Sequence, residues 1–219
     1  MTEANRRWLD AGWGFVSAAL PSGPARVIEI GCGPAGGFVP FLESAGYDAV
    51  GVDPAAPAGE RFHQLSFEHY TPPEPVDAVV TCTALHHVDD LGLVADLIAA
   101  ALRPGGVLVM VEWARERFDE RTARWCFDRL PNGDEDGWLH HHAQRWQESG
   151  LPWPAYFDGW ADAERLHRAD AIVAALGRRF QTRSLAAAPY FFADLGIGEA
   201  DERGAGVALT GVRYVGVVA

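Results

Sequence analysis

Residues 27–37 read VIEIGCGPAGG, an apolar β-branched run that breaks abruptly into glycine. How that break is read decides the fold and its ligand. Taken as Gly31, Gly33 and Gly36 it spells GxGxxG, the loop that carries a dinucleotide between a first strand and its helix. Taken as Glu29, Gly31 and Gly33 it spells acid-x-Gly-x-Gly, a carboxylate at a strand end followed by glycines that let backbone approach a ligand. The stretch itself is compatible with both, and its surroundings must choose.

Working outward, RVIEI (26–30) predicts a buried strand, followed by the glycine loop and a short helix near 38–45 ended by Gly46. DAVGVD (48–53) is a second strand, FHQLS (62–66) a weak third, VDAVVTC (76–82) a fourth and VLVMVEW (107–113) a fifth. Between the last two, DDLGLVADLIAAALR (89–103) is a strongly periodic helix capped by Asp89 or Asp90. Strands alternating with helices predict an α/β, Rossmann-like open sheet, mostly parallel, with helices on both faces. Residues 114–178 hold no strand candidate, only helical stretches interrupted at Pro131, Gly150, Pro152 and Pro154, so they read as a helical lid or insertion. RFQTRSLAAAPYFF (179–192) and LTGVRYVGVVA (209–219) return as a closing strand pair, with a helix at 199–206 between them. The expected organisation is one domain: a helical segment at 1–24, a binding core at 25–113, the insertion at 114–178 and the closing pair at 179–219.

Pro40 bears on the opening question. Proline is tolerated only in a helix's first turn, so the helix begins no earlier than about residue 37 and Gly36 stays in the loop. In the dinucleotide fingerprint the third glycine sits inside the helix, packed on the strand. The GxGxxG match is therefore expected to be accidental.

The chain has 219 residues, 48% of them hydrophobic, enough for one sizeable core. Acidic residues outnumber basic ones 30 to 18, so most of this surface would repel a nucleic acid or an anionic membrane. Every basic residue is arginine, which removes Schiff-base chemistry and the Walker-type lysine together. Cys32, Cys82 and Cys126 are scattered and odd in number, suggesting neither a disulfide framework nor a zinc site. No leader or membrane-spanning run is evident, so a cytoplasmic setting is expected.

Glu29 at one strand end, Asp53 at the next, then LHHV (85–88) and LRPGG (102–106) form an ordered set. In these features the chain resembles the class I S-adenosylmethionine (SAM)-dependent methyltransferases over roughly residues 25–113, and the closing strands fit that family's antiparallel pair. The resemblance implies SAM as cofactor, its methionine part cradled by Glu29, Gly31 and Gly33, and its ribose hydroxyls held by Asp53. Adenine would fall to Ser66, Phe67 and Glu68, although this chain has Ser66 where the family usually has an acid. Cys32, Pro54, Cys82 and Thr83 complete the expected cofactor set. LRPGG is expected to be a tight turn delivering the fifth strand. One carboxylate can accept from both vicinal ribose hydroxyls, which supports the Asp53 assignment on chemical grounds.

In CTALHHV (82–88), Thr83, His86 and His87 follow the fourth strand, at the sheet edge where open α/β folds bind ligands. A hydroxyl or ammonium acceptor must lose a proton, and either histidine could take it; equally, both could serve only to satisfy backbone groups. Ubiquinone-biosynthesis O-methyltransferases carry Glu-x-x-Glu-His here, which can hold a divalent metal. Thr83 and His86 replace those two carboxylates, so no metal is expected. Six of the eight tryptophans lie in residues 113–160. Trp153, Tyr156, Phe157 and Trp160 share one helical stripe, and Trp138, His142 and Trp146 another; each is either core packing or the wall of an acceptor site. His140 and His141 belong to a solvated face.

The expected activity is SAM-dependent methyl transfer to oxygen, nitrogen or carbon of a small, aromatic or apolar molecule, of the kind common in specialised metabolism. Two rivals stand beside it. One is a methyltransferase-fold protein that binds SAM or its product yet catalyses cyclisation or elimination, or serves as a partner subunit; the other is an NAD-dependent oxidoreductase. Oligomeric state is not legible.

Overall fold

The computed structural model describes residues 2–131 and 137–218. The chain opens with α1 (Glu3–Ala19), capped by Thr2, whose hydroxyl accepts from the Asn5 N–H. There follow β1 (Arg26–Ile30), α2 (Val39–Ser44), β2 (Asp48–Val52), β3 (Phe62–His63), β4 (Val76–Cys82), α3 (Leu91–Ala101) and β5 (Leu102–Trp113). Four helices succeed them: α4 (Glu120–Phe127), α5 (Trp138–Ser149), α6 (Trp153–Ala163) and α7 (Ala169–Leu176). Then β6 (Phe180–Ala188), α8 (Glu199–Gly204) and β7 (Gly211–Val218) close the fold.

The strands form one seven-stranded sheet in the order β3-β2-β1-β4-β5-β7-β6. The first five are parallel, and β7 runs antiparallel to both β5 and β6. From β1 the chain builds outward to β2 and β3, then returns to place β4 on the other flank of β1. The connections after β1 and β4 therefore diverge, and a crevice opens at their carboxyl ends, where such sheets bind ligands.

Central strands are apolar on both sides because helices cover both faces. Alternation along β5 sends Leu108 and Met110 to the face packed by α3 and α7, through Val94, Ile98, Ile172 and Leu176. Val109 and Val111 face α1 and α2, through Leu9, Val16, Phe38 and Leu42. A third core lies within the helical insertion, where Phe118, Leu139, Trp153 and Phe157 gather around Trp113. Among the described residues, no helix is long and apolar enough to cross a membrane.

Several expectations shift in detail. The third strand shrinks to Phe62–His63, since only two residues pair with β2. LRPGG belongs to β5 itself: Leu102 already pairs with Val76, and Gly105 at φ +76° accommodates the irregularity that follows. The strand expected over 179–192 ends at Ala188, because Pro189 has no N–H to offer a neighbouring strand. Beyond it the Tyr190 N–H donates to buried Glu202 (2.9 Å). α2 begins at Val39, leaving Gly36 outside it at φ +84°.

Candidate active site

The β1 loop packs backbone against side chain so closely that glycine is required. A Cβ on Gly37 would sit 2.2 Å from Glu29 Oε1, and one on Gly31 would sit 2.3 Å from the Ala84 Cβ. Gly33 differs. It has φ +61° and open space where a Cβ would point, a space continuous with a cleft of about 280 Å³.

Glu29 is buried beneath that cleft, accepting from the Val39 N–H (3.0 Å), while its Oε1 has no protein partner among the described residues. Burial pushes its carboxyl up to about 8, against the opposing pull of the Phe38 and Val39 N–H groups. Asp53, at the end of β2, accepts from Gly33 N–H (3.0 Å) and Ala55 N–H (2.7 Å), which still leaves its oxygens spare acceptor capacity. Cys32 and Cys82 line the same cleft, but burial pushes the Cys32 thiol up to about 12 and the Cys82 thiol well above its ordinary value. Neither is poised as a thiolate nucleophile. α1 closes the cleft's far side with Ala4, Asn5 and Trp8.

At the end of β4, Thr83 takes the left-handed backbone (φ 50°), which non-glycine residues seldom adopt. The next turn brings Leu85, His86 and His87 over the end of β5, where Glu112 is wholly buried. Glu112 accepts from the backbone N–H groups of Leu85 (2.8 Å) and Trp113 (2.7 Å), and from His86 Nδ1–H (2.6 Å). A carboxylate only accepts, so Nδ1 is the donor in this pair and Nε2 is the ring atom that Glu112 does not engage. The His87 ring lies tilted against the His86 ring with centroids 4.1 Å apart, and desolvation, followed by the His86 charge, lowers its pKa.

Both histidines line a second cleft of about 380 Å³, walled by Trp113, Trp138, Trp160 and Phe191. Thr83, Tyr190 and Asp194 border this cleft and the first one alike. The two spaces therefore adjoin at the end of β4.

Of the sequence-predicted residues, Glu29, Gly31, Cys32, Gly33, Cys82 and Thr83 meet at the first cleft, with Asp53 bonded to its loop. Pro54, Ser66, Phe67 and Glu68 are not on its lining: Phe67 is buried in the core and the Ser66 hydroxyl pairs with His69 Nδ1 at 2.8 Å. Of the aromatic stripes, Trp138 and Trp160 reach the second cleft. Trp153 is 1% exposed with its indole N–H donated to the Phe118 carbonyl, and Phe157 stacks on it at 4.9 Å. Trp146 packs under Arg124 and donates to the Leu151 carbonyl. His142 lies 2.8 Å from the Tyr156 hydroxyl among aromatic rings, and desolvation lowers its pKa to about 4.

Sequence reasoning expected the N-terminal helical segment but gave it no place at the site, and it likewise passed over residues 190–194 and Glu112. For the first two no local signal exists, because distant chain meets the site only through the fold. Glu112 did leave one: a lone carboxylate at the end of the apolar run VLVMVEW must be buried and partnered.

An open sheet with its switch point at β1 and β4, a glycine loop and carboxylates at consecutive strand ends define the SAM-dependent methyltransferase class, and those groups suit its cofactor. The unpartnered Glu29 oxygen, the open space at Gly33 and the spare acceptor capacity of Asp53 are what a ligand bearing an ammonium and a ribose requires. A family model described as a methyltransferase domain matches residues 3–155, and the chain belongs to that family. It is 33% identical over 98 residues to the ubiquinone biosynthesis O-methyltransferase of Bradyrhizobium sp. (strain ORS 278), covering 39% of this chain and 38% of that one. It is 30% identical over 122 residues to the 2-ketoarginine methyltransferase of Streptomyces arginensis, covering 48% and 36%. The matched segments thus span well under half the length of these two relatives. A crystal structure described as a putative S-adenosylmethionine dependent methyltransferase from Listeria monocytogenes superposes with a TM-score of 0.61 at 14% identity, covering 96% of this chain and 99% of that one.

Proposed function

We propose that this protein transfers the methyl group of SAM to an oxygen, nitrogen or carbon of a small, largely apolar or aromatic molecule. The observation that carries this reading is the pair of adjoining clefts sharing Thr83, Tyr190 and Asp194, one built from carboxylates and glycine backbone, the other from aromatic rings and two histidines. When bound, SAM supplies an electrophilic methyl on a sulfonium. The protein's task is then to hold an acceptor atom in line, keep water out and take a proton where one must leave.

His86 is the better placed base, since Glu112 holds its ring and directs the proton to Nδ1. The tryptophan walls offer large apolar area with few rotatable bonds, which suits positioning. Calorimetry with SAM, S-adenosylhomocysteine and NADH tests the cofactor, and S-adenosylhomocysteine release with candidate acceptors tests transfer. His86→Ala is expected to lower turnover roughly 10²–10⁴-fold with SAM affinity intact. Micromolar NADH binding with no SAM heat would overturn the reading.

A further inference from the structure

Resting on that reading and deepening it, we propose that the acceptor is an amine whose nitrogen becomes positively charged on methylation, held among the tryptophan and tyrosine rings of the second cleft, which Asp194 also borders. The physical basis is the sign of charge that the second cleft can stabilise. Aromatic faces carry a negative quadrupole and attract cations, tryptophan most strongly. Trp113, Trp138, Trp160 and Tyr190 all border the cleft, and Asp194 is its carboxylate. Eighteen arginines are spread over the chain, yet none is among the described residues lining this space.

An acceptor oxygen or carbon that must ionise before attack would bring negative charge to the same walls. Aromatic rings oppose that charge, and His87 is a poor substitute for an arginine. Desolvation and the neighbouring ring hold His87 below its ordinary value, away from the cationic form.

An amine reverses the balance. Its nitrogen lone pair forms the new carbon–nitrogen bond as the methyl–sulfur bond breaks, the bonding pair going to sulfur. The positive charge leaves the sulfonium and appears on nitrogen, inside the aromatic cleft, and stabilisation there grows along the reaction. The ammonium form met in water loses its proton first, to His86 Nε2 and then to solvent.

The test reads binding and does not require turnover. With S-adenosylhomocysteine saturating, calorimetry compares choline with its uncharged carbon isostere 3,3-dimethylbutan-1-ol, and with 4-nitrophenolate. Choline is expected to bind at least about tenfold tighter than the isostere, with 4-nitrophenolate weakest. Asp194→Asn and Trp138→Leu should each cut that preference by about threefold or more, both positions being exposed enough to change without unfolding the protein. Equal binding of choline and the isostere, or tighter binding of the phenolate, would overturn the amine assignment while leaving methyl transfer standing. Failure of S-adenosylhomocysteine to bind at all would instead remove the reading on which it rests.

Discussion

Asp53 accepts one backbone N–H from the β1 loop, Gly33, and one from its own loop, Ala55, and retains lone pairs for a ligand. Replacing it by alanine is expected to weaken SAM roughly ten- to a hundredfold, the size of losing charge-assisted hydrogen bonds, as read by calorimetry beside a melting control. Glu29 is a different case, because its folded carboxyl sits near 8 against an ordinary 4.5. A group raised on folding stabilises the native state fully below its unfolded value, and that contribution is lost as pH climbs through the folded one. Between about 4.5 and about 8 this residue should therefore make the ligand-free protein less stable as pH rises, and Glu29→Gln should flatten that slope in denaturant titrations.

At the scale of elements, the helical insertion carries the opposite pH dependence. His142 is buried among rings with its pKa lowered from 6.5 to about 4, so it enters the folded state neutral. Its contribution is present above 6.5 and drains away as pH falls towards 4, where the unfolded chain binds a proton that the folded one refuses. Acid titration of His142→Phe should show that loss removed; where the two windows overlap, comparison with Glu29→Gln separates them. The same insertion divides its tryptophans by role. Trp153→Ala should cost about 3–5 kcal/mol of stability, as large aromatic truncations in cores do. Trp160→Ala, half-buried at the second cleft, should melt nearer to normal and weaken the acceptor instead. Equal destabilisation by both would assign the whole stripe to packing.

For the whole molecule, the first cleft is lined by α1, the end of β1 and the loop after it, the end of β4 and the segment after β6, so a ligand held there should reinforce the entire fold. S-adenosylhomocysteine at a hundred times its Kd is expected to add about 2.7 kcal/mol to unfolding stability, seen as a rise in Tm, while NADH at the same concentration leaves it unmoved. What could be read in the chain was what local chemistry dictates. Alternating β-branched runs and amphipathic helices specify an α/β sheet, Pro40 keeps Gly36 out of the helix, and acids at consecutive strand ends mark the ligand edge, since each depends only on neighbours a few residues away. The remainder depended on contacts between residues far apart in sequence. Glu112 meets His86 across 26 positions, and Glu202 holds the Tyr190 N–H from a helix 12 residues on. Whether a tryptophan faces a core or a cleft is equally invisible in a helical period, because the period says which side chains share a face and only packing against the other elements says what that face meets.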